Sequence, residues 1–227
     1  MMSSVTERRE NRDMSTQEPQ ADPSQGWRTL VNRHTGERLW LRRIVRDGAM
    51  CLDLKGTLPP HQDGPPLHIH HYEQEEVTVV AGTLSAEVDG RHLQVEAGGT
   101  ALLPMGSAHR WWNTGDDVLA LEGVARPVVD LDVYFAAAFE VLNSGPANRP
   151  PLFYMAHFAW RHRKTQAVLL APRWAQAIVV PVIVLVGTLL GRYRGTEWPG
   201  CPARCAPAPI VDTCEGLREA RPTASVA

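Results

Sequence analysis

The sequence predicts a mainly β protein: an antiparallel barrel or sandwich followed by helices. From Trp27 to about Arg126, short apolar runs are broken by turn residues roughly every eight to twelve positions, which is typical of small all-β domains. After Pro127 the apolar residues recur at helical spacing instead. The 18 prolines and 18 glycines fall mostly between apolar runs, and this favours short strands and tight turns.

The strands follow from local alternation and from turn chemistry. A hairpin loop is expected at residues 32–37, and Asp89-Gly90 predicts a two-residue hairpin turn because both residues tolerate positive φ angles. Strands are predicted at residues 50–54, 77–80, 84–88, 92–95, 100–103, 110–112 and 118–124.

Four segments are predicted along the chain. Residues 1–26 lack periodicity and are rich in polar residues, so we expect them to be disordered. Residues 27–128 form the β domain, and residues 129–196 form a helical extension. Residues 197–227 are rich in proline and alanine and are predicted to be a disordered tail, with Cys201, Cys205 and Cys214 as unpaired thiols.

Composition excludes some classes of function. The net charge of −2 and the absence of a long basic run argue against a nucleic-acid partner. The polar N-terminus has no apolar core typical of a secretory signal, so secretion is not expected.

An uncharged apolar segment spans residues 174–191 and is flanked by arginines. Its length is near the lower limit for a transmembrane helix, and Pro181 interrupts it. We expect it to attach the protein to a membrane, with the β domain in the cytoplasm. The alternative is a soluble cytoplasmic protein in which this segment covers the barrel or a second copy of the chain.

The first candidate metal-binding segment begins at Gly64. His68 and His70 are separated by one residue, so on a strand both imidazoles project from the same face and can bind one cation. A turn or bulge at residues 72–74 must reset the register before a carboxylate can join them. Strand parity alone leaves Glu73, Glu75 and Glu76 as candidates.

The second segment runs from Gly98 to Asn113. A turn at residues 104–106 precedes His109, which opens the next strand. Three imidazoles and one carboxylate suit one divalent ion of iron, manganese, nickel, copper or zinc. Leu102, Met105 and Trp111 are the predicted pocket walls, because Trp111 shares strand parity with His109.

Together these segments resemble the paired signature of the cupin superfamily over roughly residues 40–125. In the first half His68, His70, Glu75 and Gly82 match, although the leading glycine, Gly64, lies two residues closer to His68 than in the family pattern. The second half matches at Gly98, Pro104, Gly106, His109 and Asn113. The resemblance implies a double-stranded β-helix, a jelly-roll-like barrel, with His68, His70, Glu75 and His109 as the metal ligands.

The family hosts many activities on one fold. Our leading hypothesis is a metal-dependent small-molecule oxidoreductase of the dioxygenase type, in which Glu75 also serves as a base. The alternatives are a non-catalytic ligand-binding or sensor module near a membrane and, last, a sugar isomerase or epimerase. Family members often pair through their outer strands, so the resemblance also implies a homodimer.

Overall fold

The computed structural model describes residues 26–211. Twelve strands and three α-helices lie within this range. The strands are β1 (Arg28–Val31), β2 (Arg38–Arg46), β3 (Ala49–Leu58), β4 (His68–His70), β5 (Gln74–Ala81), β6 (Thr83–Val88), β7 (Arg91–Glu96), β8 (Thr100–Leu103), β9 (Ala108–Trp112), β10 (Leu119–Arg126), β11 (Gln166–Val168) and β12 (Ile210–Val211). The helices are α1 (Leu131–Asn143), α2 (Leu152–His162) and α3 (Arg173–Leu189).

The strands form two sheets whose apolar faces enclose the core. The larger sheet has the order β1-β2-β3-β10-β5-β8, with β12 added beside β2. The smaller sheet has the order β11-β4-β9-β6-β7. All pairings are antiparallel except that of β12 with β2. The predicted mainly β, jelly-roll-like fold with C-terminal helices is confirmed.

Alternation along the strands decides which side chains face the interior. On β5, Glu75, Val77 and Val79 are buried, while Glu76 and Val80, which follow a buried residue, are exposed. The Asp89-Gly90 turn joins β6 to β7 with φ of 49° and 77°, as its residue types predict.

The C-terminal extension covers the barrel rather than standing apart from it. Helix α1 packs its buried face, including Tyr134, Ala137 and Phe139, into the cluster formed with Leu41 and Leu54 of the larger sheet. After α2, strand β11 adds itself to the edge of the smaller sheet by pairing with β4. The extension and the larger sheet therefore share one hydrophobic cluster.

Helix α3 has a wide exposed apolar face that includes Trp174, Ile178 and Val182. Within residues 26–211, no helix has both the length and the apolar character needed to cross a bilayer. This finding does not support the predicted transmembrane segment at residues 174–191.

The tail differs from its prediction where the structure describes it. Trp198, Cys201, Cys205 and Ala208 are buried, and β12 pairs with β2, so residues 197–211 are ordered. Cys201 and Cys205 are free but buried thiols, because the apolar residues of this proline-rich segment find a surface on α1 and α2. The rest of the predicted tail, Cys214 included, and residues 1–25 lie outside the described range.

Candidate metal centre

Three buried histidines meet inside the barrel. His68 and His70 lie on β4 and point inward together because one residue separates them. His109 lies on the neighbouring strand β9, where the register pairs it directly with His68. The ring centroids are 4.4–5.0 Å apart, and the candidate ligand nitrogens of the three residues lie within 4.8 Å of one another.

A hydrogen bond from its Nδ1 atom holds each imidazole ring in place. The Nδ1–H of His68 donates to the carbonyl of Pro66 at 2.8 Å, and that of His109 donates to the carbonyl of Ser107 at 3.2 Å. His70 donates instead to the side-chain oxygen of Gln166. Because a carbonyl oxygen only accepts, these partners place the proton on Nδ1 and leave a lone pair on each Nε2.

The Nε2 atoms converge where a cation would satisfy them. Nε2 of His68 lies 3.1 Å from Nε2 of His70, yet neither atom carries a proton to share. Two nitrogens bound about 2.1 Å from one ion are about 3 Å apart when they lie at right angles, so the spacing fits a shared ligand set. Nε2 of His109 is buried without a hydrogen-bond partner. The three histidines could therefore hold one metal ion.

Glu75 approaches this cluster from the other sheet. The chain bends at residues 71–73 between β4 and β5, as expected, and carries Glu75 across the barrel. Its Oε1 lies 3.6 Å from Nε2 of His70 and is buried without a hydrogen bond. Of the three carboxylates that parity left open, Glu76 is exposed near Arg126, while Glu73 is buried in a separate network described below.

Burial favours the neutral forms of the three imidazoles and of the Glu75 carboxyl. Burial lowers the pKa of His68 well below its ordinary value, and it lowers the pKa values of His70 and His109 as well. Neutral imidazole is the form that binds metal, so all three are ready as ligands near pH 7. Burial also raises the pKa of the Glu75 carboxyl, since nothing but His109 offsets it.

The extension supplies the partner of His70. Gln166 pairs directly with His70 in the β11–β4 register, and its Nε2 donates to Glu73 at 3.1 Å and to Asp130 at 3.3 Å. Glu73 in turn accepts the backbone N–H of Val129 at 3.1 Å. These bonds fix the amide so that its oxygen faces His70.

Asp130 anchors the far side of this network. It accepts from His162 at 2.8 Å and from Thr165 at 2.9 Å. Burial raises the pKa of Asp130, but the bonds from His162, Thr165 and Gln166 outweigh it and leave the pKa below its ordinary value. We call Gln166, Glu73, Asp130, His162 and Thr165 the support network.

A cavity of about 160 Å³ opens beside the histidines, between the larger sheet and helices α1 and α2. His68, Glu75 and Tyr134 line it at this end. Tyr134 and Phe135 set their rings edge-on to His70 at 6.2 and 6.3 Å, and burial raises the pKa of the Tyr134 hydroxyl.

Of the three residues predicted to form the pocket wall, one lines the cavity and two do not. Trp111 lines the cavity, as strand parity with His109 suggests. Leu102 and Met105 do not: they are 50% and 58% exposed. Leu102 alternates with Leu103 on β8, so Leu103 faces inward in its place, and Met105 lies at the tip of the turn before β9.

Sequence reasoning missed the support network and the helical wall of the cavity. Phe135 stood in the helical pattern, which could have identified α1 as a lid over the barrel. Gln166, Asp130 and His162 belong to no sequence motif. Nothing in the local sequence indicates their contacts.

A double-sheet barrel with inward imidazoles on adjacent strands defines a class of β-barrel proteins able to bind a metal. Residues 54–129 match the family model described as the cupin domain. This match confirms the resemblance to the cupin superfamily that the two motifs predicted.

Several solved structures are similar over part of the chain. A cupin-superfamily sugar phosphate isomerase from Silicibacter pomeroyi is 19% identical, covering 47% of this chain and 74% of that one, with a TM-score of 0.38. A predicted oxalate decarboxylase from Thermotoga maritima is 21% identical, covering 47% and 96%, with a TM-score of 0.36. The cupin domain of Cnp3 from Schizosaccharomyces pombe is 12% identical, covering 40% and 65%, with a TM-score of 0.35.

These likenesses are partial. The chain spans only 54% of the length of a further similar structure, from Acidithiobacillus ferrooxidans. No curated protein matches the sequence. The activities in these descriptions belong to those proteins.

Proposed function

We propose that the protein is a metal-dependent oxidoreductase of the dioxygenase type that acts on a small organic molecule. The observation that supports this most is the convergence of three buried Nε2 atoms beside Glu75 at the end of an apolar cavity, where Nε2 of His109 and Oε1 of Glu75 have no hydrogen-bond partner. A divalent iron, manganese, nickel, copper or zinc ion bound there would supply Lewis acidity and, for a redox-active ion, electron transfer.

The residues of the chain contribute orientation, proton exchange and exclusion of water. His68, His70 and His109 present their lone pairs with little motion, because each Nδ1 atom is already bonded. Glu75 has an Oε1 without a hydrogen-bond partner, and burial raises its pKa, which makes the carboxylate a stronger base toward a substrate proton. Val77 and Leu121 line the cavity with hydrocarbon and keep bulk water from the reacting groups.

Tyr134 adds a hydrogen-bond donor at the same end of the cavity. Burial keeps its hydroxyl protonated at neutral pH, so it can donate to an oxygen of the substrate. Its position on α1 means that the helical extension and the barrel shape the substrate pocket together.

The sugar isomerase alternative fits the cavity less well. A sugar needs many hydrogen-bonding groups, and a sugar phosphate needs a cation. Within residues 26–211 the cavity walls are mostly apolar and include no lysine or arginine. The binding or sensor alternative uses the same site without turnover, so experiment must separate it from the enzyme.

The first test is elemental analysis of the purified protein beside a His68→Ala/His109→Ala variant. We expect about one equivalent of a transition metal per chain in the wild type and none in the variant. The matched control is His61→Ala/His92→Ala, which removes two exposed imidazoles outside the site and should retain the ion. Absence of metal from the wild type after reconstitution would contradict the proposal.

The second test measures oxygen consumption by the metal-loaded protein with a panel of small organic substrates. Uptake that requires His68 and His109 would support the oxidoreductase. Metal and ligand binding without uptake would favour the sensor alternative.

A further inference from the structure

The far end of the cavity carries a carboxylate that the metal centre does not use. The cavity passes between α1 and the larger sheet to Asn32, Glu37 and Asn148. Glu37 is only 6% exposed. It precedes β2 and shares strand parity with Leu39 and Leu41, which are buried cavity walls, so its side chain joins the inner face.

The Glu37 carboxylate has no hydrogen-bond or ion-pair partner within the described part of the chain, and burial alone raises its pKa to about 7. The local turn does not need it. The backbone N–H of Asn32 bonds the carbonyl of Glu37 at 2.9 Å, and the Thr35 hydroxyl accepts the N–H of Glu37 at 3.2 Å.

A buried carboxyl without a hydrogen-bond partner lowers the free energy of unfolding. A ligand that donates a hydrogen bond to it would restore that stability. The charge of the cavity indicates which ligand. Its ionisable acids are Glu37, Asp63 and Glu75, and among its described lining residues there is no lysine or arginine to neutralise them. At the Glu37 end, away from the proposed metal ion, an anionic ligand would be repelled, whereas a protonated amine would supply both the charge and the hydrogen-bond donors.

We infer that the cavity binds an organic amine whose ammonium group pairs with Glu37 and whose apolar body lies along Leu39, Leu121 and Phe139. This inference deepens the proposed function by naming a class of ligand for the same cavity.

The Glu37 end lies well away from the metal end. In the larger sheet, Glu75 pairs with Ala125, Ala125 pairs with Leu52, and Leu52 pairs with Arg43. Glu75 is therefore level with Arg43 of β2, which lies six residues beyond Glu37. Six residues of strand span on the order of 20 Å. A short amine on Glu37 therefore makes no contact with the metal ligands, while a longer ligand would extend toward them.

The experiment compares hexylamine with 1-hexanol by calorimetric titration of the full chain at pH 8. The two probes have similar apolar bodies and differ in the charged donor. We expect hexylamine to bind the wild type roughly tenfold to a hundredfold more tightly than hexanol, as for a buried charge-assisted hydrogen bond. Glu37→Gln should remove this preference and leave hexanol affinity within about twofold.

Glu96→Gln is the matched control, because Glu96 is exposed on β7 and lies outside the cavity. It should bind both probes as the wild type does. Equal affinity of the wild type for the two probes, no binding of either, or an unchanged amine preference in Glu37→Gln would overturn the inference.

The same titrations on His68→Ala/His109→Ala separate this inference from the metal proposal. An amine preference that persists without metal keeps the ligand assignment even if the oxidoreductase proposal fails. Loss of the preference in that variant, with an intact fold by circular dichroism, would show that the amine binds the ion and not Glu37.

Discussion

Two of the three histidines are oriented by their own neighbours, while the third depends on a distant segment. His68 and His109 each bond a carbonyl two residues earlier in the chain. His70 bonds Gln166, 96 residues away, on a strand that belongs to the extension. A backbone carbonyl comes with the strand and cannot be lost by side-chain substitution. We call the bonds of His68 and His109 to nearby carbonyls the local arm, and the bond of His70 to Gln166 the remote arm. A glutamine can be lost by substitution, so the remote arm is the vulnerable one.

The most damaging change to this arm is Gln166→Leu. It removes the acceptor of His70 and one hydrogen-bond donor each from Glu73 and Asp130, so we expect metal affinity to fall about tenfold to a hundredfold. The measurement is a titration with Co²⁺ in competition with a chelator. Gln176→Leu, a partly exposed position on α3 outside the support network, is the control. Wild-type affinity in Gln166→Leu would show that His70 needs no remote partner.

The pH dependence of stability should also distinguish the two arms. Folded His68 has a pKa well below its ordinary value of 6.5, so the unfolded chain binds a proton that the folded chain refuses. The free energy of unfolding of the metal-free protein should therefore fall as the pH decreases below 6.5. The contribution is about 1.4 kcal/mol per pH unit until the folded pKa is reached.

His68→Gln removes that contribution, and urea unfolding between pH 7.5 and 5 measures the difference in slope. His70→Gln should change the slope less, because the Gln166 bond partly offsets the effect of burial on the pKa of His70. Identical profiles for wild type and His68→Gln would contradict the buried neutral state.

Asp130→Asn should have a smaller effect, because Asp130 makes no hydrogen bond to His70 and reaches it through Gln166 and through its charge. The asparagine keeps the shape but weakens the bonds from His162 and Thr165, and we expect metal affinity to fall about threefold to tenfold. Asp116→Asn, an exposed position on the barrel, is the matched control in the Co²⁺ titration. A loss as large as that of Gln166→Leu would mean that Asp130 acts on the site by another route.

Substitutions on α3 should have the smallest effect. Ile178→Ser and Val182→Ser alter its exposed face without touching β11, so Co²⁺ affinity should stay within about twofold of wild type. A tenfold loss would mean that the whole extension, and not only β11 and Asp130, supports the site.

The sequence predicted the local arm and missed the remote one for a physical reason. Strand parity, turn chemistry and two family motifs depend on neighbouring residues, and these identified the barrel and its histidines. Glu75 needed the family pattern, because the bend before it breaks the parity rule. Gln166 acts through the register of β11 against β4, which tertiary packing decides.

The same limit explains the other differences. One position of register on β8 exchanges Leu102 for Leu103 at the cavity wall. Trp198 and Cys205 belong to a segment with the composition of a disordered tail, yet they are buried because a matching surface exists on the helices. Glu37 belongs to the predicted hairpin loop at residues 32–37, and its local sequence does not indicate that its side chain lines a cavity.

The position of Gln166 in the chain also has a consequence for biosynthesis. His70 leaves the ribosome 96 residues before its partner, which corresponds to roughly 5 to 20 seconds of synthesis. During that interval the barrel strands are present, but one imidazole has no fixed tautomer. We therefore expect tight binding of the proposed ion only after β11 is complete, so that a chain truncated before residue 166 would bind it more weakly.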